Sequence, residues 1–81
     1  MKTIQVAVKN LCTEEVTVCT YAVNEHNEGL FVNRGEGCGW NQVTGTGQFY
    51  ANSPKSLMRG LRRMYEDQIV RMVRNSADGW E

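Results

Sequence analysis

Apolar and polar positions alternate with period two over the first half of the chain and recur at helical spacing in the second. In "TIQVAVK" Ile4, Val6 and Val8 fall on one side and Thr3, Gln5, Ala7 and Lys9 on the other. That is the signature of a half-buried strand. "VTVCTYAV" (16–23) is rich in β-branched and aromatic residues, which suit a pleated surface. Its two sides, Val16/Val18/Thr20/Ala22 and Thr17/Cys19/Tyr21/Val23, are both moderately apolar, as in a central strand. The polar segments 10–15 and 24–29 read as connections, the second with the Asn and Gly that tolerate positive φ. "LFVN" (30–33) and "WNQVT" (40–44) follow as a third and fourth strand, and "QFYA" (48–51) is a candidate fifth. The connections are too short for parallel crossovers, so an antiparallel sheet is expected.

The second half predicts one helix over about 54–74. Ser53 is placed to cap it and Pro54 to open it, where the missing N–H costs nothing. At 100° per residue Leu57, Met58, Leu61, Met64, Tyr65, Ile69, Met72 and Val73 share one arc. Arg59, Arg63, Asp67, Arg71 and Arg74 share the other, with Asp67 spaced to pair with Arg63 and Arg71. Gly60 falls on the polar side, a cost of about 1 kcal/mol relative to alanine. Residues 75–81 form a tail that frays unless Trp80 docks. The expected fold is therefore α+β in a single domain (1–81): a four- to five-stranded antiparallel sheet over about 3–51, packed on one C-terminal amphipathic helix. One helix covers only one face of such a sheet. The other face, with Tyr21 or Trp40, is left to solvent, a partner or a second copy.

Composition bounds this picture. A domain of 81 residues, 41% hydrophobic and 22% charged, is globular but buries only about 60–65% of its unfolded surface. The N-terminal segment lacks the continuous apolar block of a signal peptide, and no apolar run approaches the ~20 residues of a membrane span. A cytoplasmic location without membrane association is expected. Cys12, Cys19 and Cys38 are odd in number and form no C-x-x-C pair, which favours free thiols. A Cys19–Cys38 bridge across neighbouring strands is the alternative.

Charge is zero overall but uneven. Residues 1–54 carry Lys2, Lys9 and Arg34 against Glu14, Glu15, Glu25, Glu28 and Glu36, a net −2. Residues 55–74 carry Lys55, Arg59, Arg62, Arg63, Arg71 and Arg74 against Glu66 and Asp67, a net +4. Asp78 and Glu81 return −2. A basic helical face of this kind suits phosphate or an acidic protein surface. The zero net charge weighs against a dedicated nucleic-acid binder.

The candidate chemistry is narrow. "RGEGCGWNQVTGTGQ" (34–48) holds five of the eight glycines. It lacks the helix that a dinucleotide fingerprint opens and the Lys-Ser/Thr end of a phosphate loop. It reads as two reversals around the strand 40–44. Cys12, Cys19, His26 and Cys38 match a Cys3His set in number but not in spacing, so no metal and no cofactor are expected. The single histidine, His26, sits in a polar turn, and the adjacent pairs Glu14–Glu15 and Glu66–Asp67 suit solvated surfaces. No enzyme is expected. Arg59, Arg63, Arg71, Arg74 and Trp40 are the candidate partner-binding residues, Trp40 as an anchor beside the glycine loop.

The β-β-β-α order with a basic last helix is similar to double-stranded-RNA-binding domains. The leading helix is missing and only Lys55 stands at the helix start, so that family's residues are not carried over. In overall build the chain resembles the small phage-encoded inhibitors of bacterial host defence, such as anti-CRISPR proteins. The likeness lies in size, a compact sheet with few helices, the lack of catalytic groups and the uneven charge. It implies a protein in the host cytoplasm that binds and blocks a larger host protein or nucleoprotein complex. The alternatives are a nucleic-acid-binding accessory protein using the arginine-rich helix, and a homodimeric structural module that pairs sheet faces.

Overall fold

The computed structural model describes residues 2–23, 29–35, 37–43, 49 and 51–80. In these residues a five-stranded antiparallel sheet packs on one helix. The strands are β1 (Lys2–Lys9), β2 (Val16–Val23), β3 (Leu30–Asn33), β4 (Asn41–Gln42) and β5 (Ile69–Met72), and the helix α1 (Pro54–Met64) lies between β4 and β5 in the chain. The sheet order is β4-β3-β2-β1-β5. The expected α+β class, the antiparallel pairing and the central place of β2 therefore stand. The turn at 24–28, His26 and the reversal at 44–48 lie outside the described residues. The candidate strand 48–51 does so in part; Phe49 and Ala51 are in no strand.

Alternation sets the core. Ile4, Val6 and Val8 on β1 face the same side as their partners Tyr21, Cys19 and Thr17 on β2. Leu30 and Val32 of β3 and Ile69 of β5 extend this face. Leu57, Met58 and Leu61 of α1 close it, with Phe49, Tyr65 and Trp80 packed at the margin. Tyr21, expected as a candidate for the open face, is instead part of this core and only 3% exposed. Burial pushes its hydroxyl up from 10 to about 12, aided by Cys19 and Tyr65 and opposed by Arg34. The phenol therefore stays un-ionised at neutral pH.

The helix starts as its sequence dictates. Ser53 Oγ accepts from the Ser56 N–H at 3.1 Å and Pro54 occupies the first turn. It ends ten residues earlier than the pattern predicts. Tyr65 leaves helical backbone geometry (φ −130°, ψ 50°), and Ile69–Met72 pairs with β1. A bulge accounts for the difference. Val8 pairs with Ile69 but Ala7 pairs with Arg71, so Val70 is an extra residue in the strand. In a regular strand Ile69 and Met72, three apart, would face opposite ways. The extra residue returns Met72 to the core face, and an i, i+3 pattern that imitates a helix results. The strand wins because a longer helix would leave the outer edge of β1 bare. Instead that edge is paired along its length: Lys9 N–H to Gln68 O (2.7 Å), Val73 N–H to Gln5 O (2.8 Å) and a reciprocal Thr3–Asp78 pair (2.8 and 3.0 Å).

Gly60 also departs from expectation. A Cβ there would come within 2.5 Å of the Phe49 ring, so the glycine is a packing notch and not merely a weak helix former. Gly60→Ala gains about 1 kcal/mol of helix propensity and incurs roughly 1–3 kcal/mol of overpacking. A net loss of about 1 kcal/mol is expected in urea denaturation. In a Phe49→Ala background the same change should become stabilising, a reversal of sign that a double-mutant cycle reads directly.

Candidate interaction surfaces

Three successive cations of α1, Lys55, Arg59 and Arg62, follow i, i+4, i+7 spacing and so lie on one stripe. They line a groove of about 400 Å³ together with Met58 and Met72. Met58 is buried and Met72 half-buried, so the lining combines thioether side chains with three cations. The groove exists because β5 runs beside α1; the longer helix of the sequence reading could not have made it.

The predicted partner-binding residues are dispersed. Arg59 lines the groove. Arg63 is exposed on the same helix but is not part of the lining. Arg71 belongs to β5 and pairs with Ala7, which places it on the sheet face away from α1. Arg74 lies in the turn after β5. The expected row of arginines on one helical face is thus split across both sides of the molecule, and Asp67, in a turn, does not lace it. Trp40 is 42% exposed beside β4, at the opposite edge of the sheet from β5. Four strand spacings of about 4.8 Å separate those edges, so Trp40 and the basic groove are separate patches. Lys55 and Arg62 belong to the expected basic segment but not to the expected partner-binding set; their helical spacing to Arg59 is the signal that places them in the groove.

The glycine loop reverses the chain between the antiparallel strands β3 and β4, as expected of a turn, and it also walls a cleft. Asn33 Oδ1 accepts from the Gly35 N–H at 3.0 Å, which bends the chain off the line of β3. Gly37 and Gly39 then adopt positive φ of 81° and 65°, where a side chain would be strained. The loop lies over the open sheet face, where Gly35, Gly37 and Gly39 wall a cleft of about 710 Å³ floored by Gln5, Val18, Thr20 and Asn33.

Cys19 is buried, Cys12 and Cys38 are exposed, and all three are free. Among the described residues no three His, Cys, Asp or Glu side chains are grouped to hold a metal ion. No described helix is long and apolar enough to cross a membrane. No family model matches the chain, and no curated protein or solved structure is similar to it. The groove, the cleft and the strand edges therefore carry the functional reading by themselves.

Proposed function

We propose that the protein is a non-catalytic binding module that covers a functional surface of a larger host protein or nucleoprotein complex. In this reading it acts by occlusion, as the small phage-encoded inhibitors of bacterial host defence that it resembles in build do. The supporting observation is the groove lined by Lys55, Arg59, Arg62, Met58 and Met72. A partly apolar lining bordered by a row of cations matches the apolar centre and charged rim of a protein interface. A phosphate track would need a continuous cationic surface, whereas Arg71 lies on the far face and Arg74 in the turn after β5. The preferred partner is an acidic protein surface that inserts an apolar side chain between the arginines. Trp40 is a second anchor at the other edge.

The test is a double charge reversal, Arg59→Glu with Arg62→Glu. Both residues are exposed, so stability should change by no more than about 0.5 kcal/mol per site. Wild-type bait should retain one stoichiometric protein from bacterial lysate, and the variant should bind that protein roughly 100-fold more weakly. Mobility shifts at low salt with single- and double-stranded DNA and RNA should be negative. Nucleic-acid binding that falls steeply with salt would transfer the groove to the accessory-protein reading.

A further inference from the structure

The second surface is a backbone edge. β2 pairs with β1 along its whole length, Val16↔Lys9 to Val23↔Lys2, but with β3 only over Thr20–Val23. Its first half is open on the β3 side. The hydrogen-bond phase says which residues point there. Asn10 N–H donates to Glu15 O, so the odd residues of β2 turn their N–H and C=O groups to β1, and the even ones to β3. The other edge of β1 agrees, since its odd residues Thr3, Gln5 and Lys9 bond the C-terminal segment. Thr20 and Ala22 thus meet Asn33 and Phe31. Val18 and Val16 come next, and the chain that would have met them has been bent away at Asn33. Among the described residues nothing pairs with their backbone groups on that side. Their side chains are 50% and 55% exposed.

This open edge separates two clefts. On the face away from α1 lies the cleft of Gln5, Val18, Thr20, Asn33 and the three loop glycines. On the α1 side lies another of about 400 Å³, lined by Thr17, Cys19, Leu11, Cys12, Gln68 and Arg34 among others. Among the described residues its charged lining is Arg34 and Lys9, and neither Glu14 nor Glu15 contributes. A short unpaired edge with a cleft on each face is the geometry that strand addition uses: main-chain bonds give affinity and alternate side chains enter opposite clefts.

We propose that the edge of β2 at Val16–Val18 takes an extended peptide segment of a partner protein with an apolar–acidic–apolar sequence. The segment continues the line of β3, antiparallel to β2. Its two apolar residues lie opposite Val16 and Val18 and exchange N–H···O bonds with them. The acidic residue between them lies opposite Thr17, so its side chain turns to the α1 side and meets Arg34. This site is independent of the basic groove in surface and in partner chemistry.

The probe is a capped heptapeptide, Thr-Thr-Val-Glu-Val-Thr-Thr, with versions carrying central Gln or Lys and one N-methylated at both valines. It is titrated into the full-length 15N-labelled protein. In the free protein the amides of Val16 and Val18 should exchange fast while those of Thr17 and Cys19, bonded to β1, are protected. The Glu peptide should shift and protect Val16 and Val18. The Lys version should bind about tenfold more weakly, and the N-methylated one not at all. Val18→Pro removes only an outward N–H and leaves the β1 ladder intact; it should weaken binding about tenfold with Thr17 and Cys19 still protected. Arg34→Gln should make the Glu and Gln peptides equal. Arg59→Glu with Arg62→Glu should leave the titration unchanged, which separates this result from that of the groove. Failure of every peptide to protect the two amides overturns the proposal. So does their protection in the free monomer, or protection that grows with concentration alongside a doubled mass, which assigns the edge to a second copy.

Discussion

Leu61→Ala is expected to cost about 3–5 kcal/mol, the usual range for truncating a fully buried leucine that leaves a cavity. Leu61 has no exposed surface and sits in the last full turn of α1 against the sheet. For 81 residues the whole stability is on the order of 4–12 kcal/mol, so this one substitution removes much of it. Urea denaturation should show the midpoint falling by more than 1 M, with slopes of about 1–2 kcal/mol per M for a chain of this size. Met64→Ala, one turn on and 39% exposed, is the control and should lose under about 1 kcal/mol. The contrast tests the packing of α1. A helix laid loosely on the sheet would give two small and similar losses.

The residues that make the core were largely legible in the chain, and the element that carries some of them was not. Ile4, Val6 and Val8 alternate without interruption, and Ser53-Pro54 announces a helix start, so both were readable from local chemistry alone. Ile69 and Met72 were correctly expected to share the buried side with Leu57 and Leu61, but they reach it from a strand. The bulge at Val70 is invisible to a periodicity argument because its effect is to convert period two into spacing three. What decides between helix and strand at 69–72 is non-local: β1 has an edge to be covered, and only the assembled sheet reveals it. The same limit applies to the sites. The groove of Lys55, Arg59 and Arg62 needs both the helical spacing, which was legible, and Met72 delivered by β5, which was not. The open half of β2 follows from where β3 stops. Asn33 and Gly35 hint at a turn, but which backbone groups the turn leaves unpaired depends on register.

The edge covered by β5 carries the second large effect. Beyond Met72 the chain keeps to β1 through Val73, Ser76 and Asp78. Asn75 takes a positive φ of 58°, and the Ser76 hydroxyl meets the Gln5 N–H at 3.3 Å where the ladder is interrupted. Trp80 ends this run. Its indole N–H donates to Thr3 O at 2.8 Å, its ring packs on the core margin, and the Lys2 ammonium stands 5.7 Å from the ring centroid. Trp80→Ala should cost about 2–3 kcal/mol, below the range for a fully buried tryptophan because the ring is only half-buried. Trp80→Phe keeps most of the packing and loses the bond to Thr3, so a loss of about 1 kcal/mol is expected. The loss should be spatially graded. Hydrogen exchange at Thr3 and Val73 should accelerate most, since a freed C-terminus opens locally before the sheet does. Lys9, bonded at the other end of the edge to Gln68 O, should follow only the global change. Equal acceleration along β1 would mean that the edge opens as one unit and that Trp80 is not its clasp.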